Sequence, residues 1–399
     1  MKYIVVLADG MADEPLEELD GKTPLEAADT PYMDALASRG IMGLAKTVPD
    51  SMKPGSDVAN LSVLGYDPLK CYSGRSSLEA LSVGVPMKET DVVYRVNIVT
   101  LSEEEPYVEK TIIDHSSGEI STEDADILMN AIRKAFNNEE FTFYTGTSYR
   151  EAVVWDHGKY LEFAQPHDHL GEVIAPYLPQ EPMIRAMMEK SFEILNNHPV
   201  NLARAAQGKN KANSLWFWGP GTKPAMENFT QKTGKTGVMI SAVDLLKGMA
   251  IGAGMKVLDV PGATGSLETN YEGKAAAAAK ALLEDGYDFA YIHIEAPDEM
   301  GHQGSLPKKL LSIENIDKRV LGPLLDKLDA SGETYRLLLT PDHPTPIRCR
   351  THTAAPVPYL LYDSACQRKS VAFYNEKEAA ATGDYMEEGY RLIEKLFEN

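Results

Sequence analysis

An acid and a histidine follow the apolar stretch YIHIEA at residues 291–296. Asp298 comes two positions after this stretch, and His302 lies four positions after Asp298, with glycine on either side of the histidine region. A spacing of four places both side chains on one face of a helical turn. Carboxylate oxygens and neutral imidazole nitrogens are common ligands of divalent metals, so one interpretation is a metal site. The other is a solvated loop, in which polar residues and glycines are ordinary.

Two further apolar stretches end in the same residue types. Residues 3–8 (YIVVLA) precede Asp9, and residues 335–340 (YRLLLT) precede Pro341 and the pair Asp342–His343. Runs of this kind are typical of strands that are covered on both faces. Parallel strands of an open α/β sheet end at one edge, where ligands bind. We therefore expect the polar residues after the three strands to lie close together.

A third histidine, His352 in CRTHT, lies on a segment that we expect to return to the same edge. One acid after one strand would be unremarkable, but the whole set favours the metal interpretation over the loop. It offers enough oxygen and nitrogen atoms for two divalent ions: Asp9, Asp298, His302, Asp342, His343 and His352.

Helical patterns lie between these strands, at residues 30–40, 240–254 and 273–286. Each is rich in helix formers or ends in glycine. Strands that alternate with helices predict an α/β fold with a doubly wound, mostly parallel sheet.

The middle of the chain has a different pattern. It contains strand-like runs such as VVYRVNIVTL, turn-rich pieces such as QPHDHLG, and one clear helix, STEDADILMNAIRKAF. We interpret it as a smaller α+β domain, residues 87–235, that binds substrate and acts as a lid. It is inserted into a discontinuous catalytic domain formed by residues 1–86 and 236–399.

Composition limits the partners, the compartment and the class of substrate that we expect for this chain. The chain has 399 residues with a net charge of −20, which disfavours nucleic acid as a partner. Three cysteines without a paired motif fit a reducing compartment. The N-terminal apolar run is too short for a signal peptide, and no stretch is long enough to span a membrane. We expect a cytoplasmic protein with a small anionic substrate, and the oligomeric state stays open.

Ser56 in PGSDVANLSVLG precedes a predicted helix. It is a good N-cap, and most serines in this setting do nothing more. Alternatively, its hydroxyl lies at a helix N-terminus that favours a phosphate group, and a bound metal would make it a nucleophile. Local sequence favours the cap.

The motifs together resemble the alkaline phosphatase superfamily, and more closely the cofactor-independent phosphoglycerate mutases of archaeal type. The resemblance runs nearly end to end. The stretches that carry it include PGSDVANLSVLGYDP, GRSSLEALSVGV, PDEMGHQG, VPGATGSLETNYEGKA, PDH and THT.

The resemblance implies an enzyme that interconverts 3-phosphoglycerate and 2-phosphoglycerate through a phosphoserine at Ser56, without 2,3-bisphosphoglycerate. Asp298, His302 and His352 would hold one divalent ion. The other would be held by Asp9, Ser56, Asp342 and His343. Manganese or zinc suits this mixed set of ligands, with magnesium and cobalt as alternatives.

Substrate-binding residues are less clear, because the arginine-rich motifs of the longer bacterial mutases have no match here. Arginine and lysine side chains suit the phosphate and carboxylate of the substrate, and the alternative for each is an ordinary surface charge. The candidates are Arg75, Arg95, Arg150, Arg204 and Lys223. Two other functions also stay open: a homoserine kinase-like phosphotransferase of threonine biosynthesis and a related metal-dependent phosphatase.

Overall fold

The computed structural model describes residues 1–366 and 368–398. Contacts divide the chain into a larger unit, Met1–Tyr72 with Ala225–Asn399, and a smaller unit, Ser73–Pro224. The domain boundaries expected from sequence were 86/87 and 235/236. Residues 73–86 therefore lie in the smaller unit, and residues 225–235 lie in the larger one.

The strands of the described residues, numbered in chain order, are β1 Lys2–Ala8, β2 Ile41–Ala45, β3 Val92–Leu101, β4 Ile112–Asp114, β5 Phe141–Thr147, β6 Arg150–Trp155, β7 Ser214–Thr222, β8 Gly237–Ile240, β9 Lys256–Val257, β10 Phe289–Ile294, β11 Tyr335–Thr340, β12 Val357–Asp363 and β13 Tyr385–Met386.

The α-helices are α1 Pro24–Ala27, α2 Pro31–Ala37, α3 Ser56–Val63, α4 Pro68–Cys71, α5 Arg75–Ser82, α6 Thr122–Phe136, α7 Pro182–Leu195, α8 Pro199–Ala206, α9 Phe229–Thr233, α10 Asp244–Gly252, α11 Tyr271–Leu283, α12 Ala296–His302, α13 Leu306–Asn315, α14 Gly322–Ser331, α15 Glu376–Ala381 and α16 Leu392–Phe397. A π-helical segment, Ile316–Leu321, connects α13 to α14.

The larger unit is built on an eight-stranded sheet with the order β13-β2-β12-β11-β1-β10-β8-β9. Only the pairings of β12 with β11 and with β2 are antiparallel, and the other neighbours are parallel. β1 lies at the centre, and six of its seven residues are buried, as its continuous apolar run predicts. Helices including α2, α11 and α14 pack their apolar side chains against this sheet.

The smaller unit contains an antiparallel sheet with the order β4-β3-β6-β5, and β7 pairs with β3. Helices α6 and α7 cover it, with Leu128 and Met188 in its core. Ser121 is the N-cap of helix α6, and its side chain accepts a hydrogen bond from the Asp124 amide.

The predicted fold class is confirmed: a mixed, mostly parallel sheet is accompanied by a smaller antiparallel one. β11 has the bounds expected from sequence, and β10 ends two residues earlier, since Glu295 and Ala296 turn into α12. Within the described residues, no helix combines the length and the apolar character needed to cross a membrane.

Candidate metal centre

Three adjacent strands of the larger sheet end at the candidate metal centre. β1 lies between β11 and β10 and runs parallel to both, so their carboxyl ends meet at one edge. Asp9 directly follows β1, Asp342 follows β11 after one proline, and Asp298 lies in the first turn of α12 after β10. The topology of the sheet therefore brings the three acids together.

The first group of potential ligands comprises Asp9, Asp342 and His343, whose ligand atoms all lie within 4.8 Å of one another. Nε2 of His343 is 3.6 Å from Oδ1 of Asp9 and 3.3 Å from Oδ2 of Asp342. All three residues are buried. Burial lowers the pKa of His343, which favours the neutral imidazole that metal binding requires.

The second group comprises Asp298, His343 and His352, again with ligand atoms within 4.8 Å of one another. Nε2 of His352 is 3.3 Å from Oδ1 of Asp298. The rings of His343 and His352 lie close, with centroids 4.0 Å apart. Because both groups include His343, the two candidate buried metal sites are adjacent.

His302 adjoins the second group. Its Nε2 atom is 3.1 Å from Oδ2 of Asp298 and 3.0 Å from Nε2 of His352. Its Nδ1 atom lies 2.9 Å from the carbonyl oxygen of Arg350, which can only accept a hydrogen bond. Nδ1 therefore carries a hydrogen, and this contact aims Nε2 at the group, as backbone carbonyls commonly do for metal-binding histidines.

The contacts between Asp298 and His302 determine the protonation of both side chains. Burial alone would raise the pKa of Asp298, but hydrogen bonds from His302 and His352 outweigh burial and lower it. The hydrogen bond to Asp298 raises the pKa of His302 to about 9. The carboxylate of Asp298 is therefore held in its charged form, which is the form that can bind a cation.

The surroundings of Asp9 fit a cation. Its Oδ1 atom is buried and has no hydrogen-bond partner among the described residues. Burial, together with the negative charges of Asp342, Asp298 and Glu295, raises the pKa of Asp9 well above its usual value. A divalent ion between these carboxylates would offset their mutual repulsion and favour their ionised forms. The donor set and the unpartnered oxygen therefore fit metal binding.

Asn60 orients Asp342 and was not identified from the sequence. Its side-chain amide donates to Oδ2 of Asp342 and to the carbonyl oxygen of Ser56, at 2.9 Å in each case. Its own Oδ1 accepts a hydrogen bond of 2.7 Å from the hydroxyl of Tyr291 in β10. Thr345 acts similarly at the second group, where its hydroxyl donates to Oδ1 of Asp298. In the sequence, these residues look like ordinary helix, strand and loop positions.

Comparison with known proteins identifies the family. A model described as 2,3-bisphosphoglycerate-independent phosphoglycerate mutase matches residues 37–201. A probable enzyme of this name from Geobacter sulfurreducens is 49% identical, with 100% of each chain covered. The Methanosarcina acetivorans enzyme of this name is 47% identical, with 96% of each covered. The chain belongs to the 2,3-bisphosphoglycerate-independent phosphoglycerate mutases. The resemblance inferred from the motifs is thereby confirmed.

The fold of this mutase chain is also found in a solved structure. A Pyrococcus horikoshii protein aligns with a TM-score of 0.81 and 31% identity, over 99% of this chain and 96% of that one. The alignment therefore includes residues of both units.

Ser56, the nucleophile that the resemblance implies for a mutase, lies beside the first group. Its hydroxyl oxygen is 3.1 Å from Nε2 of His343. The N-cap of α3 is Gly55, and Ser56 is the first helical residue. The interpretation of Ser56 as the N-cap was therefore wrong, because the helix begins one residue earlier than a capping serine would require. Its hydroxyl is left to face the metal centre.

The candidate substrate-binding arginines of the mutase lie in the smaller unit. Arg95 stacks on Trp218, with its Cζ atom 4.3 Å from the ring centroid, and forms an ion pair of 3.2 Å with Glu79. Burial lowers the pKa of Arg95, and the positive charges of Arg75 and Arg150 lower it further. The three arginines therefore lie close enough together to repel one another.

The other two candidates have different surroundings. The Arg204 guanidinium donates to the carbonyl oxygens of Asn210 and Ser117, at 3.0 and 2.6 Å, and is buried. These contacts tie two loops together, which is a structural role. Lys223 is partly exposed and pairs with the exposed Glu89 at 2.7 Å.

Proposed function

We propose that the chain interconverts 3-phosphoglycerate and 2-phosphoglycerate with Ser56 as the nucleophile. Membership of the mutase family supports the reaction. The observation that supports the residue is the 3.1 Å distance from its hydroxyl oxygen to Nε2 of His343, within the cluster of acids and histidines. The N-cap of α3 is Gly55, so Ser56 is not the capping residue of this helix.

We further propose the assignment of ligands to two divalent ions. Asp298, His302 and His352 would hold one, and Asp9, Ser56, Asp342 and His343 would hold the other. Such ions supply positive charge that stabilises an ionised serine hydroxyl and the oxygens of a phosphoryl group. Mixed carboxylate and imidazole ligands suit manganese or zinc, with magnesium or cobalt as alternatives.

In the proposed reaction, the ionised Oγ of Ser56 attacks the phosphorus atom of 3-phosphoglycerate. The bond from phosphorus to the oxygen on carbon 3 breaks, and that oxygen takes up a proton. The same glycerate then presents its 2-hydroxyl, which loses a proton and attacks the phosphoserine. Ser56 returns to its starting state, and one proton has moved from one glycerate oxygen to the other. No 2,3-bisphosphoglycerate is consumed.

Arg95 is the strongest candidate for binding the substrate anion, with Arg75 and Arg150 beside it. Glu79 pairs with Arg75 and Arg95 and offsets part of the repulsion among the three positive charges, and a bound phosphate or carboxylate would offset the rest. Stacking on Trp218 fixes the plane of the Arg95 guanidinium, which suits bidentate binding of such a group. The contacts of Arg204 and Lys223 leave them weaker candidates.

The proposal is tested by incubating metal-loaded protein with 3-phosphoglycerate alone. We expect formation of 2-phosphoglycerate without added 2,3-bisphosphoglycerate or ATP, and little release of inorganic phosphate. Parallel reactions contain homoserine with ATP. Phosphate release in step with substrate loss would indicate a phosphatase. Phosphorylation of homoserine without any conversion of 3-phosphoglycerate would contradict the mutase.

A further inference from the structure

His293 is a fully buried histidine and the penultimate residue of β10. Nε2 of its imidazole lies 2.8 Å from Oδ2 of Asp9, and Nδ1 lies 3.0 Å from the hydroxyl oxygen of Ser241. Both ring nitrogens are thus engaged, one by an acid of the first group and the other by a serine that follows β8.

The direction of the hydrogen bonds in this chain follows from the ionised state that Asp9 has as a metal ligand. An ionised carboxylate only accepts, so Nε2 of His293 donates its hydrogen to Oδ2 of Asp9. A neutral imidazole with its hydrogen on Nε2 accepts at Nδ1. The hydroxyl of Ser241, which accepts the Val243 amide at 3.0 Å, then donates its own hydrogen to Nδ1.

This contact determines which oxygen of Asp9 is available. With Oδ2 engaged by His293, the other oxygen, Oδ1, is the buried atom without a hydrogen-bond partner among the described residues. Oδ1 lies 3.6 Å from Nε2 of His343, on the side of the first group. The hydrogen bond to His293 therefore restrains the rotation of the carboxylate and leaves one oxygen facing the other ligands.

Lys274 supports the same arrangement from the main chain. Its ammonium group is buried and donates to the carbonyl oxygen of His293 at 2.9 Å. This bond holds the strand at the position from which the imidazole reaches Asp9.

We propose that His293, held by Ser241, is a positioning residue that aims Oδ1 of Asp9 at the metal. The inference rests on the proposed assignment of Asp9 as a ligand. Polar groups that hydrogen-bond to a ligating side chain commonly contribute about 10–100-fold to metal affinity. The same order is expected here, because the imidazole of His293 is hydrogen-bonded directly to Oδ2 of Asp9.

The test compares His293→Gln with His293→Leu in the full chain. The glutamine amide can place a donor near the position of Nε2, whereas leucine fills the space without one. The dissociation constants for Mn²⁺ are measured by calorimetry, and the absorption spectrum of bound Co²⁺ reports the geometry of the ligands. Thermal unfolding after treatment with a chelator shows whether each variant folds.

We expect leucine to weaken one of two Mn²⁺ sites by about 10–100-fold and to change the Co²⁺ spectrum, and glutamine to restore most of the affinity. Unchanged affinity in the leucine variant overturns the inference. Equal losses in both variants also overturn it, because the donor at Nε2 would then be irrelevant. Wild-type protein that binds no metal would instead contradict the ligand assignment.

A second variant keeps the test decisive if the leucine variant does not fold. Ser241→Ala retains His293 but removes the hydroxyl that fixes its tautomer, so we expect a smaller loss of Mn²⁺ affinity. Ser191→Ala is the matched control, because Ser191 is also a buried serine with a hydrogen-bonded hydroxyl but lies in the smaller unit. Affinity that is the same in both alanine variants contradicts the role of Ser241 and with it the hydrogen-bonded chain.

Discussion

The hydroxyl oxygen of Ser56 lies 3.1 Å from Nε2 of His343, although 287 positions separate the two residues in the chain. Gly55, not Ser56, is the N-cap of α3. The hydroxyl consequently contributes nothing to the start of the helix, and its closest polar side-chain contact is within the candidate metal centre. A substitution at Ser56 therefore tests a catalytic role of the hydroxyl without removing a helix cap.

Replacing Ser56 by alanine is expected to abolish phosphoryl transfer while changing the free energy of unfolding by less than about 0.5 kcal/mol, because no cap is lost. Turnover of 3-phosphoglycerate and thermal unfolding measure the two effects. Ser62→Ala is the control on the same helix. Its buried hydroxyl donates to the Thr47 carbonyl at 2.5 Å, so it should lower stability by about 1 kcal/mol and retain activity. Near-normal turnover in the Ser56 variant would rule out the nucleophile.

Removal of one acid from either group should remove one metal ion. We expect elemental analysis to find about two ions in the metal-loaded wild type, and about one in Asp342→Asn and in Asp298→Asn, since two-metal sites divide their ligands. Asp317→Asn is the control. Asp317 is equally buried but accepts backbone hydrogen bonds from Tyr32 and Met33. An unchanged metal content in both of the first two variants would show that these acids are not ligands.

Arg95→Met should weaken substrate binding without affecting the metal. A lost hydrogen bond to a charged group is worth about 1.5–3 kcal/mol, so KM for 3-phosphoglycerate should rise about tenfold or more. The metal content should stay at the wild-type value, since the ligands lie in the other unit. Lys223→Met removes a partly exposed charge and serves as the control. A KM of the Arg95 variant equal to that of the wild type would exclude Arg95 from the substrate site.

Glu151 in β6 makes stability depend on pH. Burial raises its pKa from 4.5 to about 8, and only its Oε2 atom is hydrogen-bonded, to the Gly146 amide. Between these two pH values the folded chain retains a proton that the unfolded chain releases. Its contribution to stability is therefore greatest below pH 4.5, falls as pH rises through this range, and levels off above about pH 8.

Glu151→Gln should remove this dependence and stabilise the protein at pH 7 by up to about 3 kcal/mol, from 1.36 kcal/mol per pKa unit. Unfolding curves at about pH 5, 7 and 8.5 measure the difference in the free energy of unfolding between the variant and the wild type. This difference should grow with pH. The control is Glu139→Gln, because Glu139 is exposed. A constant difference between wild type and the Glu151 variant at all three pH values would contradict the buried carboxyl as its source.

Much of the candidate site could be predicted because its residues follow strands with an unambiguous pattern. The apolar runs before Asp9, Asp298 and Asp342 are typical of buried strands, and parallel strands in one sheet end at a common edge. Long stretches of family motifs identified the reaction. These features are local in sequence, so they do not depend on knowing which distant residues meet.

The sequence by itself determined the α/β class, the family and the residue types that could bind metal. Only the tertiary structure decided that His343 adjoins both groups, that Gly55 caps α3, and that His293 and Asn60 each hold an acid of the first group. A polar residue inside an apolar strand or helix gives the same sequence pattern whether it only fills the core or orients a metal-binding side chain. The difference lies in its partner across the chain, which depends on packing and has no local signature.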